Sequence, residues 1–423
     1  MAKERIQSIV VLGTGYVGLP LAIMLARSGY RVIGVDIKKE VVRAINNGVL
    51  HIDEDNLKRI FAERSVKKNL VAREKPCCAD AFVIAVPTPL DKRKKICDMS
   101  CVISAVESIT PFLRQGNLVI VESTVPPLTC REILKPLIEK RTRLRLGVDV
   151  HLAHCPERVL PGDIFHEIVN NDRIIGGHTP EAGERAKRIY GSFVKGSIYI
   201  TDDVTAELCK LAENAYRDVN IALANEIALV AEGLRIPPKR VIELANKHPR
   251  VKILDPGIGV GGHCIPIDPW FIREVDPAHT SLILAARTVN ENMPAIIASR
   301  IRQVVRDLDR PKIVALGMTY KPDTYDLRES PALEIVRILL DDGYDIRSYD
   351  PLVKGHEYES ISAVAEGADC LAVLVAHKRI VDELVTHEAE IKSAMRHPIW
   401  YTPTLGENLA IPSKIKPVGR RSH

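Results

Sequence analysis

Residues 8–36 constrain the fold of this chain more than any other stretch. Ser8-Ile-Val-Val-Leu12 is an aliphatic run without polar alternation, the pattern of a parallel strand buried on both faces. Gly13-Thr-Gly15-Tyr16-Val17-Gly18 follows it. Apolar residues then recur at helical spacing from Leu19 to Ser28, and Gly29 stands where a helix stops. A second strand covers 31–35 and ends at Asp36. Strand, glycine turn, helix, strand and acid, in that order, form a parallel βαβ unit that takes a dinucleotide. Gly15 lets backbone approach a pyrophosphate seated at the helix N-terminus. Asp36 is suited to accept from ribose hydroxyls and would repel a 2′-phosphate, so NAD is expected rather than NADP. A plain strand-end turn is the other use for such an acid.

Further strands are expected at 81–86 and 118–122. They run into the turns Pro87-Thr88-Pro89 and Ser123-Thr124-Val-Pro-Pro127. In a doubly wound sheet these turns lie at the carboxyl ends of the strands, where ligands bind, so Pro87, Thr88, Ser123 and Thr124 join the cofactor candidates. From about 203 to 233 the pattern becomes one long helix, a natural spine and dimer surface. Helices at 238–247 and 278–306 follow. Lys312-Ile-Val-Ala-Leu316-Gly317 then repeats the opening theme, with a helix at 331–342 and a strand ending Tyr349-Asp350. This second unit is longer from glycine to acid, the extra residues falling mostly between Met318 and Ser330. The expected fold is α/β: two Rossmann-like doubly wound domains, 1–200 and 309–423, joined by a central helical region, 201–308.

A length of 423 residues is that of two or three domains, and 46% apolar with 27% charged residues is the balance of a soluble globular chain. The net charge of +5 suits a small anionic substrate. No dense basic face interleaved with aromatics is present, so nucleic acid is not an expected partner. The patch Asp91-Lys-Arg-Lys-Lys95 reads as a solvated loop. Nine cysteines, an odd number without Cys-x-x-Cys, predict a reducing compartment and mostly buried thiols. Without an 18-residue apolar run or a leader-like N-terminus, neither a membrane span nor a signal peptide is expected, and a cytoplasmic enzyme is. His151, His154 and Cys155 lie close together, but strand residues three apart do not share a face. No metal site is expected.

Gly257-Ile-Gly-Val-Gly-Gly-His-Cys264-Ile-Pro-Ile-Asp268 sets a cysteine behind four glycines and ahead of an aspartate. Loop N–H groups can form an anion site that favours a thiolate, the nucleophilic form. An inert buried cysteine beside a glycine turn is the competing reading. Lys210 and Asn214, one turn apart on the long helix, share a face and together suit an oxyanion. A solvated charge is the alternative there.

With Ser123-Thr124-Val125-Pro126, Pro156-Glu157-Arg158, Lys210 with Asn214, Gly261-Gly262-His263-Cys264 with Asp268, and Lys321 with Arg328, the chain resembles the UDP-glucose/GDP-mannose dehydrogenase family over nearly its whole length. The resemblance implies oxidation of a nucleotide-sugar C6 alcohol to a carboxylate with two NAD, through a thiohemiacetal and thioester on Cys264. It implies oxyanion contacts from Lys210 and Asn214, Asp268 working with the lysine and a water, and Thr124 and Glu157 positioning water. A structural contact between Glu157 and Arg158 or another arginine is the competing reading. Glu157, Arg158, Val159, Leu160, Lys210, Asn214, Gly261 and Lys321 would face substrate, and Arg328 the NAD phosphates. Arg250 matches a phosphate-binding arginine only across a gap. The resemblance also implies a UDP-binding role for 309–423, dimerisation through the central helix as a homodimer or larger homo-oligomer, and a product destined for surface polysaccharide or glycoprotein glycan. His154–Gly162, Asn171–Gly177 and His248–Val251 are most similar to the branch that oxidises UDP-N-acetyl-D-mannosamine. The N-acetylglucosamine branch shares Pro-Glu-Arg-Val, and UDP-glucose is a further alternative. A two-electron hydroxyacid dehydrogenase has no use for Cys264, and a non-catalytic NAD or nucleotide sensor has no need of the full residue set.

Overall fold

The computed structural model describes residues 6–403 except 53, 160–162 and 356. Leu160 and the basic tail at 419–423 therefore lie outside the described residues. The chain forms two compact units. The first comprises residues up to Glu213 together with Trp270–Pro277, and the second comprises Asn214–Pro269 and the residues from Ala278 onward.

The first unit is built on eight strands: β1 (Ser8–Leu12), β2 (Arg31–Val35), β3 (Leu70–Arg73), β4 (Ala81–Ile84), β5 (Leu118–Val121), β6 (His151–His154), β7 (Arg173–Gly177) and β8 (Ile198–Asp202). Their order across the sheet is β8-β7-β6-β5-β4-β1-β2-β3, with β6 and β7 antiparallel and every other neighbouring pair parallel. Strand order reverses at β1, so the crevice between the β1 and β4 loops is the topological switch point. Alternate residues of β1 enter opposite layers, as strand geometry requires. Ile9 and Val11 pack with Leu21 and Leu25 of helix α1 (Gly18–Arg27), while Val10 and Leu12 pack with Phe82 and Val106.

Strands β4 and β5 end at Ile84 and Val121, shorter than the apolar runs that mark them. Beyond Ile84 the chain leaves the ladder to pass over Gly13. A small hairpin, Leu90–Asp91 with Ile96–Cys97, extends from the same loop. The Cys97 N–H donates to Glu274 Oε2 at 2.7 Å, and Lys95 Nζ lies 4.9 Å from the Trp270 ring centroid. These two contacts explain why 270–277 groups with the first unit.

Helix α2 runs over Asp203–Gly233, the predicted long helix. The division between the units falls inside it, after Glu213. Helix α3 covers Asp268–Val275 and helix α4 Ser281–Val305. In the second unit, β9 (Lys312–Leu316), β10 (Asp345–Tyr349), β11 (Cys370–Val373) and β12 (Ile399–Tyr401) form a parallel sheet in the order β10-β9-β11-β12. Helix α5 (Pro331–Asp341) and α4 cover one face, where Met293, Ile297 and Ile301 pack with Ile313, Ala315 and Ile335.

The repeat seen in the sequence extends to atomic detail. Gly13 N donates to Val35 O at 2.8 Å, and Gly317 N donates to Tyr349 O at 2.9 Å. Both glycines are left-handed, with φ of +86° and +81°. A Cβ on Gly13 would lie 2.4 Å from Ala85 O, and one on Gly317 would lie 2.1 Å from Val375 O. Each strand-end glycine thus lets the chain turn under the carbonyl of the neighbouring strand's loop. Gly317→Ala is expected to lower the stability of the second unit by about 3 kcal/mol or more. Thermal unfolding of the variant checks this, and a wild-type profile would show that the loop yields without cost.

Candidate active site

Three glycines of the first turn have separate duties. Gly13 and Gly18 are demanded by the protein itself: a Cβ on Gly18 would fall 1.9 Å from Gly13 O. Gly15 is exposed, and a Cβ there would meet nothing within 4 Å. Nothing within the protein itself requires that glycine. Tyr16 and Val17 are half-buried beside it. Asp36 is already engaged: Oδ2 accepts from Thr14 N at 3.1 Å and Oγ1 at 3.0 Å, and Oδ1 accepts from Lys38 N at 3.0 Å. These bonds orient the carboxylate at the end of β2, and carboxylate oxygens retain lone pairs for ribose hydroxyls. Across the switch point, Ser123 Oγ donates to Val86 O at 2.7 Å, tying the β5 turn to the β4 turn that carries exposed Pro87 and buried Thr88. The donor set fits NAD.

The Thr124 turn is fixed to the helix of Lys210. Glu207, fully buried on α2, accepts from Leu128 N at 2.7 Å and Cys130 N at 2.9 Å. Leu128 takes a left-handed φ of +73° to present that N–H. Burial raises Glu207 to about 7. Lys210, one turn further along, is 7% exposed. His154 is buried near it and pushed down to about 3, mainly by burial and further by the lysine charge, so its ring is neutral. His151 and His154 occupy opposite faces of β6, and no group of three or more His, Cys, Asp or Glu placed to hold a metal occurs among the described residues.

Glu157 contacts an arginine, as its competing reading allowed, within a buried ionic cluster whose other members motif reasoning did not assign. Its Oε2 lies 2.5 Å from Arg173, and its Oε1 accepts from Arg158 N at 2.8 Å. Arg173 also faces Glu122 at 3.3 Å and stacks 4.5 Å from the Tyr190 ring centroid, while Tyr190 Oη donates to Glu122 at 2.7 Å. One guanidinium serves two carboxyls. Burial pushes Glu122 up to about 8 against the pull of Arg173, and its Oε2 is buried without a hydrogen-bond partner among the described residues. The signals in the sequence were an acid closing an apolar strand at Glu122 and an arginine opening one at Arg173. Arg158 itself turns to Glu213 at 2.8 Å, and Val159 is half-buried.

The second unit brings Cys264, Asn214 and Asp268 together. The Cys264 carbonyl accepts from Ile267 N at 3.1 Å and Asp268 N at 2.9 Å, so the cysteine opens the turn that leads into α3. Asn214 Nδ2 donates to Asp268 Oδ2 at 2.5 Å, both side chains buried, and Arg217 holds the Asn214 carbonyl oxygen from the next turn of α2. The thiol itself is exposed. Cys264 is thus not the buried residue of the competing reading. The other thiols divide: Cys97, Cys130, Cys155 and Cys370 are buried, Cys77 and Cys209 half-buried, and Cys78 and Cys101 exposed, so fewer than the expected majority are buried. Gly257, at the head of the loop, donates to Asn225 Oδ1 at 2.8 Å. Asn225 in turn bonds Asn290, which bonds the Asp218 carboxylate held by Arg287 at 2.6 Å. A Cβ on Gly261 would lie 2.6 Å from Glu329 O.

Lys321 is half-buried, its Nζ 5.8 Å from the Tyr320 ring centroid. Arg328 is exposed and bidentate to Asp326, through Nε at 3.0 Å and Nη2 at 2.7 Å, so reaching a phosphate would require exchanging that partner. Arg250 lies in an exposed segment after the helix at 238–245.

These features define a dehydrogenase with a dinucleotide unit, a thiol-bearing glycine loop and a second Rossmann-like unit. The models of the UDP-glucose/GDP-mannose dehydrogenase family match in three parts: the NAD binding domain over residues 7–194, the central domain over 204–292 and the UDP binding domain over 314–402. The chain belongs to this family of NAD-dependent nucleotide-sugar dehydrogenases. It is 44% identical over 414 residues to the UDP-N-acetyl-D-mannosamine dehydrogenase of Methanococcus maripaludis, covering 93% of this chain and 95% of the relative. It is 42% identical to an NDP-N-acetyl-D-galactosaminuronic acid dehydrogenase of Ralstonia nicotianae, covering 88% and 91%. The solved UDP-D-ManNAc dehydrogenase of Pyrococcus horikoshii superimposes with a TM-score of 0.89 at 42% identity, covering 96% of this chain and 97% of that one. No helix among the described residues is long and apolar enough to cross a membrane.

Two outcomes test this geometry. Gly15→Ala is expected to keep the wild-type melting temperature and weaken NAD binding by roughly tenfold, measured by titration. Equal NAD affinity would mean that no phosphate approaches that backbone. Glu122 carries a folded value of about 8 against an ordinary 4.5, so the folded chain holds a proton that the unfolded chain releases above 4.5. Its stabilising contribution is full below the ordinary value and is lost as pH rises toward 8. Glu122→Gln should therefore gain melting temperature relative to wild type as pH climbs from 5 to 8. A difference that stays constant with pH would place the proton elsewhere.

Proposed function

We propose that this enzyme oxidises UDP-N-acetyl-D-mannosamine to UDP-N-acetyl-D-mannosaminuronate by covalent catalysis on Cys264. The observation that carries the chemistry is the single turn joining exposed Cys264 to buried Asp268 and its hydrogen bond with Asn214. The names of the similar enzymes from Methanococcus and Pyrococcus support the sugar.

Bound NAD, held by Gly13, Gly15, Tyr16, Val17, Gly18, Asp36 and the 87–88 and 123–124 turns, supplies the hydride acceptor, one hydride per molecule, so an alcohol needs two to become an acid. The remaining work falls to side chains. Lys210 and Asn214 stabilise negative charge on the C6 oxygen. Thr124 and Glu157 order the water that relays the alcohol proton. The Cys264 thiolate adds to the aldehyde carbon, forming a C–S bond as the oxygen takes up a proton. That hydroxyl then gives its proton to the ordered water as its carbon loses the second hydride to bound NAD, leaving a thioester. Water, held by Asp268 with Lys210, adds to that carbon, its two protons pass to solvent, and the C–S bond breaks to release carboxylate and thiolate. Keeping the aldehyde bound prevents its loss between the two oxidations. Lys321 contacts the nucleotide sugar, and residues 309–423 take the UDP group.

Tyr216, Leu223 and Val230 are exposed on α2 at seven-residue spacing, 57%, 47% and 62% respectively, an apolar seam suited to a second copy of the chain. This supports a homo-oligomer built on that helix. The odd cysteine count without Cys-x-x-Cys supports the cytoplasm, and the uronate product suits surface polysaccharide or glycan assembly.

A second reading keeps the chemistry and changes the C2 or C4 epimer, favoured by the similarity to the galactosaminuronic acid enzyme. NADH formed per sugar consumed, measured with UDP-N-acetylmannosamine, UDP-N-acetylglucosamine, UDP-N-acetylgalactosamine and UDP-glucose in parallel, separates these readings. Two NADH per sugar with the mannosamine substrate fastest is the expected result. One NADH per sugar would mean that the aldehyde leaves. Cys264→Ser should abolish steady turnover, and full activity in that variant would remove the covalent step.

A further inference from the structure

The loop of residues 318–330 is where the second unit departs from the first. In the first unit the side chain of the strand-end acid, Asp36, accepts from Thr14 and Lys38 close by in the same turn region. In the second, Asp350 is buried. Its Oδ2 accepts from Met318 N at 2.6 Å and lies 2.9 Å from His377 Nε2. His377 is itself fully buried, just ahead of the helix Lys378–Thr386 that follows β11. Its other nitrogen, Nδ1, lies 2.9 Å from the backbone N of Asp323, which donates to it.

A ring nitrogen that accepts an N–H bond carries no proton. His377 is therefore the neutral tautomer with hydrogen on Nε2, donating to Asp350. Thr319 Oγ1, 3.1 Å from the same Nε2, gives its own hydrogen to Lys321 O at 3.0 Å. One imidazole thus bonds the root of the loop and its outer turn. That turn needs holding, because Asp323 sits at φ +56°, a region costly for a residue with a side chain. Lys378 N, donating to Asp323 Oδ1 at 2.9 Å, holds it from the other side.

The loop in turn shapes the backbone ahead of the candidate nucleophile. Gly262 N donates to Arg328 O at 2.9 Å. A Cβ on Gly261 would meet Tyr320 Cβ at 2.7 Å, and one on Gly262 would meet the Tyr320 ring at 3.0 Å. Residues 261–262 are moulded on the 318–330 loop as closely as bare backbone allows.

We propose that His377 is a positioning residue for Cys264: by locking the 318–330 loop to Asp350 it fixes the seat of Gly261–Gly262 and so the place at which the thiol is presented. The catalytic part of this assignment rests on the covalent role of Cys264, while the geometric part does not.

The test is alkylation of the full-length chain by iodoacetamide, resolved by peptide mass spectrometry, in wild type, His377→Leu and His377→Asn. The leucine variant should change the Cys264 rate by at least about fivefold and leave exposed Cys78 and Cys101 of the first unit unchanged. Its kcat should fall between about tenfold and a hundredfold. Asparagine, whose Oδ1 can replace Nδ1 as the acceptor for Asp323 N–H, should restore most of both. An unchanged Cys264 rate in the leucine variant, or asparagine no better than leucine, overturns the assignment. A changed Cys264 rate with unchanged kcat supports the seat and instead removes the covalent reading, which Cys264→Ser checks separately. If the leucine variant does not fold, nitrogen NMR of histidine-labelled wild type decides. A bare Nδ1 with a protonated Nε2 on His377 is expected, and the opposite tautomer overturns the proposal.

Discussion

A buried carboxylate, Asp218, organises the centre of the second unit. Arg287 pairs with it at 2.6 Å, and Asn290 donates to it at 2.8 Å. Taking two charges out of water is costly, and such a pair persists only where further hydrogen bonds satisfy it. Here Asp218 Oδ1 takes both bonds, while Asp218 Oδ2 and Arg287 Nε stay buried without a hydrogen-bond partner among the described residues. The chain then continues outward, as Asn290 accepts from Asn225 and Asn225 accepts from Gly257. Helix α2, helix α4 and the head of the glycine loop are thereby joined through one polar chain. Removing any member strands the next. The direction of α2, which also carries Asn214, and the start of the loop that carries Cys264 therefore answer to the same constraint.

Much of the fold was legible because it depends on local pattern. The βαβ unit at 8–36 declares itself by period and glycine placement, and the 31-residue helix by sustained apolar spacing. Cys264 and Asp268 stand four residues apart, so their closeness in one turn of backbone follows from the sequence, while the role of Asp268 came only from the family resemblance. The Glu122–Arg173–Glu157 cluster could not. Its members come from the ends of β5 and β7 and from the loop after β6, and nothing in 122–157–173 as a spacing says that one guanidinium will meet two carboxyls. The same holds for Gly261 against Glu329, a steric fit between segments distant in sequence. Asp36 was read as a ribose acceptor, and its anchoring by Thr14 was missed because a side-chain hydroxyl inside a glycine fingerprint carries no pattern of its own.

The two Rossmann-like halves show one design put to two uses. Both begin with a left-handed glycine tucked under a neighbouring carbonyl, and both close the second strand with an acid. In the first half the third residue of the turn is Gly15, open to solvent. In the second, the equivalent stretch presents Thr319, fully buried beside His377. The second half therefore spends its glycine turn on protein contacts, a physical reason for one chain to hold two such units without holding two dinucleotides in the same manner.

The grouping of Trp270–Pro277 with the first unit has a consequence for synthesis. On the ribosome the first 213 residues emerge with their sheet strands complete but with the 90–97 hairpin lacking Glu274 for the Cys97 N–H and Trp270 for Lys95. The segment that completes them arrives only after α2 and the whole Cys264 loop have been made. The first unit therefore reaches its final form late in translation, by way of the residues that follow the candidate nucleophile, and a cut between 213 and 270 would separate a largely folded body from its last piece.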